Sequence, residues 1–143
     1  MFERLVSVRL GRFTEHSGVL PTSQFAYRKG PCTTCVTLFC VSHTLQSALE
    51  SEQEARIVQI DFSAAFDKVN LLDILYKLCF VGIGGSVLSI LTQFLSNRSQ
   101  HVMVDGCRSK LVNVVSGVPK GSVLGPLLFL LYTSELFQFW KIS

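Results

Sequence analysis

At 143 residues the chain is the length of one domain or of part of a larger one. With 48% hydrophobic and 16% charged residues it can build a core, which excludes an intrinsically disordered chain, and its ten glycines and four prolines exclude collagen-like and low-complexity classes. The net charge of +3 lies wholly in residues 1–30, where Arg4, Arg9, Arg12, Arg28 and Lys29 outnumber Glu3 and Glu15. That end is the place for a phosphate-bearing partner, although the same charges also suit a solvated helix face.

In chain order, Phe2, Leu5, Val6 and Phe13 predict one face of a helix that Gly18 ends. This opening has no apolar h-region, so no secretory signal is read, and five cysteines without one imply reduced thiols in an intracellular protein. Gln24-Phe25-Ala26-Tyr27-Arg28 alternates like a short strand. Thr33 or Thr34 caps a second helix to about Leu49, with Leu38, Val41, Leu45 and Leu49 expected inward. Arg56-Ile57-Val58-Gln59-Ile60-Asp61-Phe62 is the clearest strand pattern. Asn70 caps the next helix, with a stripe of Leu71, Leu72, Leu75, Leu78 and Cys79, and with Asp73 placed as in a capping box. Gly82–Gly85 turns the chain into a helix carrying Val87, Ile90, Leu91, Phe94 and Leu95. Leu78–Asn97 has the roughly 20-residue length of a membrane span without a charge. Its glycines, serines, Gln93 and Asn97 instead fit two helices joined by a turn, and no membrane association is expected.

From Gln100 the period becomes two, and Asp105-Gly106 between Val102/Val104 and Val112/Val114 predicts a hairpin. Gly117–Gly121 is a turn-rich loop, and a last helix is expected from about Ser122 to Phe137. Helices, a strand, helices, a hairpin and a helix make an α+β domain with an antiparallel sheet, not a βαβ repeat. The expected pairing joins Arg56–Asp61 to an arm of the 100–115 region or to a strand near the loop, with the helices at 71–80 and 86–97 covering one face.

The chemistry begins at Asp61, delivered where the strand pattern ends. A carboxylate there must face water, pair with a cation, or ligate a hard divalent cation such as Mg²⁺, because burying it alone is costly. A lone aspartate there also suits a cap for the following turn.

The surrounding pattern says more. Asp61-Phe62-Ser63-Ala64-Ala65-Phe66-Asp67 resembles motif A of reverse transcriptases, in the form found in non-LTR retrotransposons. Ser116-Gly117-Val118-Pro119-Lys120-Gly121-Ser122-Val123-Leu124-Gly125-Pro126-Leu127-Leu128-Phe129 resembles motif B, the most specific of the three. Gln24–Gly30 is similar to the fingers motif. The three occur in the family's order at compatible spacings, and the resemblance runs from about Phe2 to Phe137.

The resemblance implies an RNA-directed DNA polymerase and part of a right-hand fold: residues 1–55 fingers-like, and 56–143 the first part of a palm with an incomplete antiparallel sheet packed with helices. It implies Asp61 as a catalytic carboxylate and ligand of Mg²⁺, with the Phe62 carbonyl as a further ligand. Phe66 would lie under the incoming sugar, or pack in the core. Arg28 would contact the triphosphate. Gly117, Pro119 and Gly121 would shape a loop approaching the nucleotide, with Lys120 near a phosphate. Asp67 is read as a cap or local partner and not as a metal ligand. The implied partners are an RNA template, a DNA primer and a deoxynucleoside triphosphate, with no other small-molecule cofactor.

The chain also departs from the family. Lys120 stands where Gln is usual, Ala26 where Gly is usual, and Pro31–Cys35 is atypical. No Asp follows Asp105, so the paired aspartates of motif C are absent from this sequence. The expectation is a fragment inactive by itself. A rival from another class is a non-catalytic nucleic-acid-binding or interaction module, using either the N-terminal arginines or a short zinc site of Cys32, Cys35, Cys40 and His43. An amphipathic helix through Val36–Val41 argues against the zinc site.

Overall fold

The computed structural model describes residues 2–28 and 33–136. They form an α+β fold of five α-helices and short antiparallel β-pairs: α1 (Phe2–His16), α2 (Thr33–Glu50), a 3₁₀ turn (Ala65–Lys68), α3 (Leu71–Phe80), α4 (Gly85–Leu95), β1 (Arg98–Gln100), β2 (Met103–Val104), β3 (Cys107–Arg108), β4 (Val112–Val114) and α5 (Gly125–Thr133). Among the described residues no helix is long and apolar enough to cross a membrane.

The core is helical. Ile74 and Leu78 of α3, Leu91 and Leu95 of α4, and Leu128, Leu130 and Leu131 of α5 meet with Val69, Val118 and Leu124, all nearly or wholly excluded from solvent. Burying each such side chain stabilises by about 1.5–3 kcal/mol. The expected cap of α3 and the glycine turn before α4 are present, whereas no hydrogen bond from Asp73 completes a capping box among the described residues. Asn70 caps α3 by accepting from the Leu72 amide at 2.9 Å. Gly82, at φ 92°, turns the chain between the two helices. Lys77 of α3 donates to the Tyr132 carbonyl at 2.6 Å and pairs with Glu135 at 3.3 Å, fastening α3 to α5. In α1 the buried face is Leu10 and Thr14 with half-buried Val6, whereas Phe2 and Leu5 are exposed. Likewise Ile74 is buried in α3 while Leu72 is exposed.

Asp105 (φ 49°) and Gly106 (φ 78°) both take the left-handed conformation that a two-residue hairpin turn requires. The expected hairpin forms around this turn. Met103 and Val104 pair with Arg108 and Cys107, while Val112–Val114 pair with Arg98–Gln100 and not with 102–104. No residue of these strands is buried.

Four expectations fail. Gln24–Arg28 is not a strand but a turn, in which Gln24 is buried and Tyr27 takes φ 58°, a conformation incompatible with a strand. Arg56–Phe62 is neither strand nor helix. No strand pairs with it, and none of the backbone hydrogen bonds among the described residues reaches 54–63. A β-prone run needs a pairing partner to become a strand, and the hairpin arms pair with each other instead. The expected palm sheet is therefore absent among the described residues, and α3 packs on both α4 and α5 instead. Third, α2 buries no described residue, so Leu38, Val41 and Leu49 face solvent. Fourth, the last helix starts at Gly125, because Ser122 and Leu124 belong to the preceding turn, and ends at Thr133; Phe137 lies outside the described residues.

Candidate functional site

Two segments some fifty residues apart meet through their backbones. The Val118 amide donates to the Phe66 carbonyl and the Gly117 amide to the Val69 carbonyl, each at 2.8 Å. Ser116 Oγ donates to the Asp67 carbonyl at 3.0 Å. The loop thus closes around the 3₁₀ turn, and only glycine fits at position 117. Its φ is 82°, and an added Cβ would lie 2.8 Å from both Asp67 Cα and the Phe66 oxygen. Arg98 braces the loop from the other side, donating from Nε to the Leu95 carbonyl at 2.8 Å and from Nη2 to the Ser116 and Gly117 carbonyls. Burial lowers the pKa of this guanidinium from its ordinary value.

Beyond Gly117 the loop holds its own shape. Ser122 Oγ donates to the Pro119 carbonyl at 2.7 Å and accepts from the Gly125 amide at 2.9 Å, leading into α5. Gly121 takes φ 76° in open space. Lys120 Nζ meets Asp67 Oδ2 at 2.6 Å, both side chains being more than half exposed. Asp67 does pair, with a partner far along the chain. Lys120 is therefore already matched by a carboxylate, which lowers its pull on an additional anion.

Phe66 sits half-buried in an aromatic group. It stacks on Phe129 of α5 (centroids 4.8 Å apart, planes at 26°) and meets Tyr27 edge-on at 6.1 Å. Such contacts add about 0.5–1.5 kcal/mol each beyond burial.

Arg28 faces inward to its own neighbourhood. Its guanidinium donates to both carboxylate oxygens of Glu15 and to the Pro21 and Gln24 carbonyls, binding the 21–28 turn to α1. The hydrogen bond from Arg28 lowers the pKa of Glu15, and Glu15 raises that of Arg28. Arg28 and Tyr27 also line a cavity of about 290 Å³ between α1 and α5, with Arg12, His16, Val123 and Leu127.

Asp61 and Phe62 are exposed, and neither side chain has a hydrogen bond or ion pair among the described residues. A divalent-cation site needs several oxygen donors. Among the described residues no cluster of three His, Cys, Asp or Glu side chains could hold a metal ion, and the other nearby carboxylate in sequence, Asp67, is engaged by Lys120. One carboxylate and one carbonyl do not make a two-metal site. The alternative zinc ligands fit no better. Cys40 and His43 ride on the unbroken helix α2 with Cys35, the His43 ring lies beside Phe39, and Cys32 lies outside the described residues.

The structure therefore brings together Phe66, Gly117, Pro119 and Lys120, and leaves Asp61 and Arg28 outside that group's hydrogen bonds. Sequence reasoning missed Arg98 and Ser116 as braces of the loop. Their signal was weak: an arginine just after a helix, and a serine before the glycine.

Residues 1–142 match the family described as reverse transcriptase (RNA-dependent DNA polymerase). The chain is 33% identical over 138 residues to a probable RNA-directed DNA polymerase from transposon X-element of Drosophila melanogaster. It is 32% identical over 136 residues to the RNA-directed DNA polymerase from mobile element jockey of Drosophila funebris. These alignments cover 96% and 95% of this chain but 15% of each relative, so the chain spans about one-seventh of the length of the relatives it matches. No solved structure matches it.

Proposed function

The chain belongs to the reverse transcriptase family, and from that premise we propose that it is a fingers-and-palm piece of an RNA-directed DNA polymerase of the non-LTR retrotransposon class. Residues 1–55 correspond to fingers and 56–143 to the first part of the palm. The observation that carries this reading is the closure of the 116–121 loop on the 3₁₀ turn through Gly117, which joins the segments resembling motifs A and B. The complete enzyme would work on an RNA template, a DNA primer and a deoxynucleoside triphosphate.

In this reading Phe66 and the loop form one wall of the nucleotide site, and Gly117, Pro119 and Gly121 let backbone approach the ligand. Arg28 and Lys120 reach a triphosphate only by exchanging their carboxylate partners, Glu15 and Asp67, for phosphate oxygens. Asp61 and the Phe62 carbonyl would be the metal-facing oxygens that the family resemblance implies, and the described residues hold no further donors to complete such a set. The 143-residue chain alone is therefore a binding fragment without polymerase activity.

The test is a titration with deoxynucleoside triphosphate followed by NMR, with primer extension on an RNA template as a second readout. Shifts are expected around Phe66 and Lys120. They should weaken steeply with salt and shrink in Arg28→Ala and Lys120→Ala, with no extension in Mg²⁺ or Mn²⁺. Shifts indifferent to both substitutions would overturn the assigned wall. Extension lost in Asp61→Ala would overturn the inactivity.

A further inference from the structure

Residues 98–114 form a two-stranded arm in which every residue between Arg98 and Val114 is exposed. The register decides where its charges lie. Met103 pairs with Arg108, and Val104 with Cys107. The Ser109 amide donates to the Val102 carbonyl at 2.9 Å, which carries the same register to 102 and 109 and sets His101 opposite Lys110. Gln100 then pairs with Val112, so Leu111 is the extra residue of a bulge. Side chains alternate between the two faces along a strand, and directly opposed residues share a face. His101, Arg108 and Lys110 therefore stand together on one face, beside Met103. Val102, Val104, Cys107 and Ser109 make the other face, which holds no Lys, Arg, Asp or Glu. Asp105, in the turn, is the one acidic residue between Asp73 and Glu135, so the cationic face has no carboxylate of its own. Among the described residues the side chains of His101, Arg108 and Lys110 make no hydrogen bond or ion pair.

We propose that this face of the arm binds the sugar–phosphate backbone of the template–primer duplex. Arg108 and Lys110 stand two residues apart on one strand, about 6.8 Å. They present a line of positive charge that a chain of phosphates matches and a single small anion does not. Cationic contacts of this kind fix a protein's register and orientation on a nucleic acid without reading its sequence. The root of the arm is tied to the candidate site. Arg98, the first residue of β1, holds the Ser116 and Gly117 carbonyls, and β4 runs into the same loop two residues beyond Val114. A duplex lying along the arm is thereby held in a fixed relation to the loop. The arginines of α1 are a poorer match, because Arg4, Arg9 and Arg12 share that helix with Glu3 and Glu15. The identity of the polyanion rests on the polymerase reading, whereas the sorting of the charges to one face does not.

Fluorescence anisotropy of a short labelled RNA–DNA hybrid, titrated with the full chain at several salt concentrations, tests it. Binding is expected, with the logarithm of the association constant falling linearly against that of salt concentration. Arg108→Ala combined with Lys110→Ala should weaken binding about tenfold at low salt and reduce the slope by about 1.4–1.8, the share of two phosphate contacts. Exchanging the cations, Arg108→Lys with Lys110→Arg, should keep the parent slope. Val102→Thr with Val104→Thr, on the opposite face, should leave binding unchanged. A hybrid that does not bind, a slope intact in the double alanine variant, or an equal loss from the uncharged face would each overturn the proposal. So would a slope carried wholly by Arg4 and Arg9, read from Arg4→Ala with Arg9→Ala, or displacement of the hybrid by poly-glutamate as readily as by unlabelled hybrid. The shifts that deoxynucleoside triphosphate produces around Phe66 and Lys120 should persist in the double alanine variant. Their absence beside arm-dependent hybrid binding would overturn the nucleotide wall and leave this proposal standing.

Discussion

Residues 56–62 and 64–69 are neighbours in sequence and meet within the 61–67 segment that resembles motif A, yet their surroundings are opposite. The first run holds Ile57, Val58, Ile60 and Phe62, all exposed, with no backbone partner among the described residues. The second holds Phe66, stacked on Phe129, and Val69, wholly buried, with its carbonyls bonded to Gly117 and Val118. Apolar content does not separate them. What separates them is whether a distant segment answers the backbone, and only the second run has one.

Substitutions in the two environments should differ most. Leu128→Ala, in the core, is expected to cost about 2–5 kcal/mol in urea unfolding. Val58→Ala, on the unpaired run, should stay within about 0.5 kcal/mol of the parent. Similar costs at the two sites would break the contrast and place 56–62 in the core.

A smaller effect sharpens what holds the second run. Gly117→Ala adds a Cβ 2.8 Å from backbone atoms at φ 82°, whereas Gly121→Ala adds one at φ 76° into open space. The second carries only the conformational penalty, about 1 kcal/mol, and the first should exceed it by a further 1–2 kcal/mol or so. Equal melting temperatures for the two variants would mean that the backbone contact between loop and 3₁₀ turn is not made in solution.

The smallest expected effect lies at Arg28. Because its hydrogen bond lowers the pKa of Glu15, the stabilisation is present above the ordinary carboxylate pKa and is lost as pH falls through the lowered value. The melting temperature of the parent should exceed that of Glu15→Gln at neutral pH, and the gap should close on acidification. Partial exposure of both side chains keeps it modest. A gap that persists in acid would show that Glu15 acts through packing and not through its charge.

Local signals were legible in the sequence. Asn70 caps α3, Gly82 turns the chain, and Asp105-Gly106 makes the hairpin, because each acts on backbone within a few residues. Signals that depend on distant partners were not. Alternation at 56–62 and at 24–28 records a preference for strand without naming what would pair, and Tyr27 took a turn conformation instead. Periodicity in α2 marked an apolar face that nothing among the described residues covers. At the candidate site, the resemblance drew attention to Phe66 and to the 117–121 loop. Their junction could not be read from residue types, because it is made by amides and carbonyls common to every residue. Only glycine at 117 left a trace of it.

The contact between Tyr27 and Phe66 has a consequence in polymer terms. It draws together two points between which the chain carries α2 and the exposed run, so everything from 28 to 65 is a loop closed by two rings. The entropy of closing a flexible loop rises only with the logarithm of its length, and a doubling costs about 0.6 kcal/mol. Neither α2 nor 54–62 contributes a buried residue to the core, so lengthening or shortening this excursion changes little beyond that logarithm. The fold can thus accept large changes of length between α2 and the 3₁₀ turn while α1, α3, α4 and α5 keep their places.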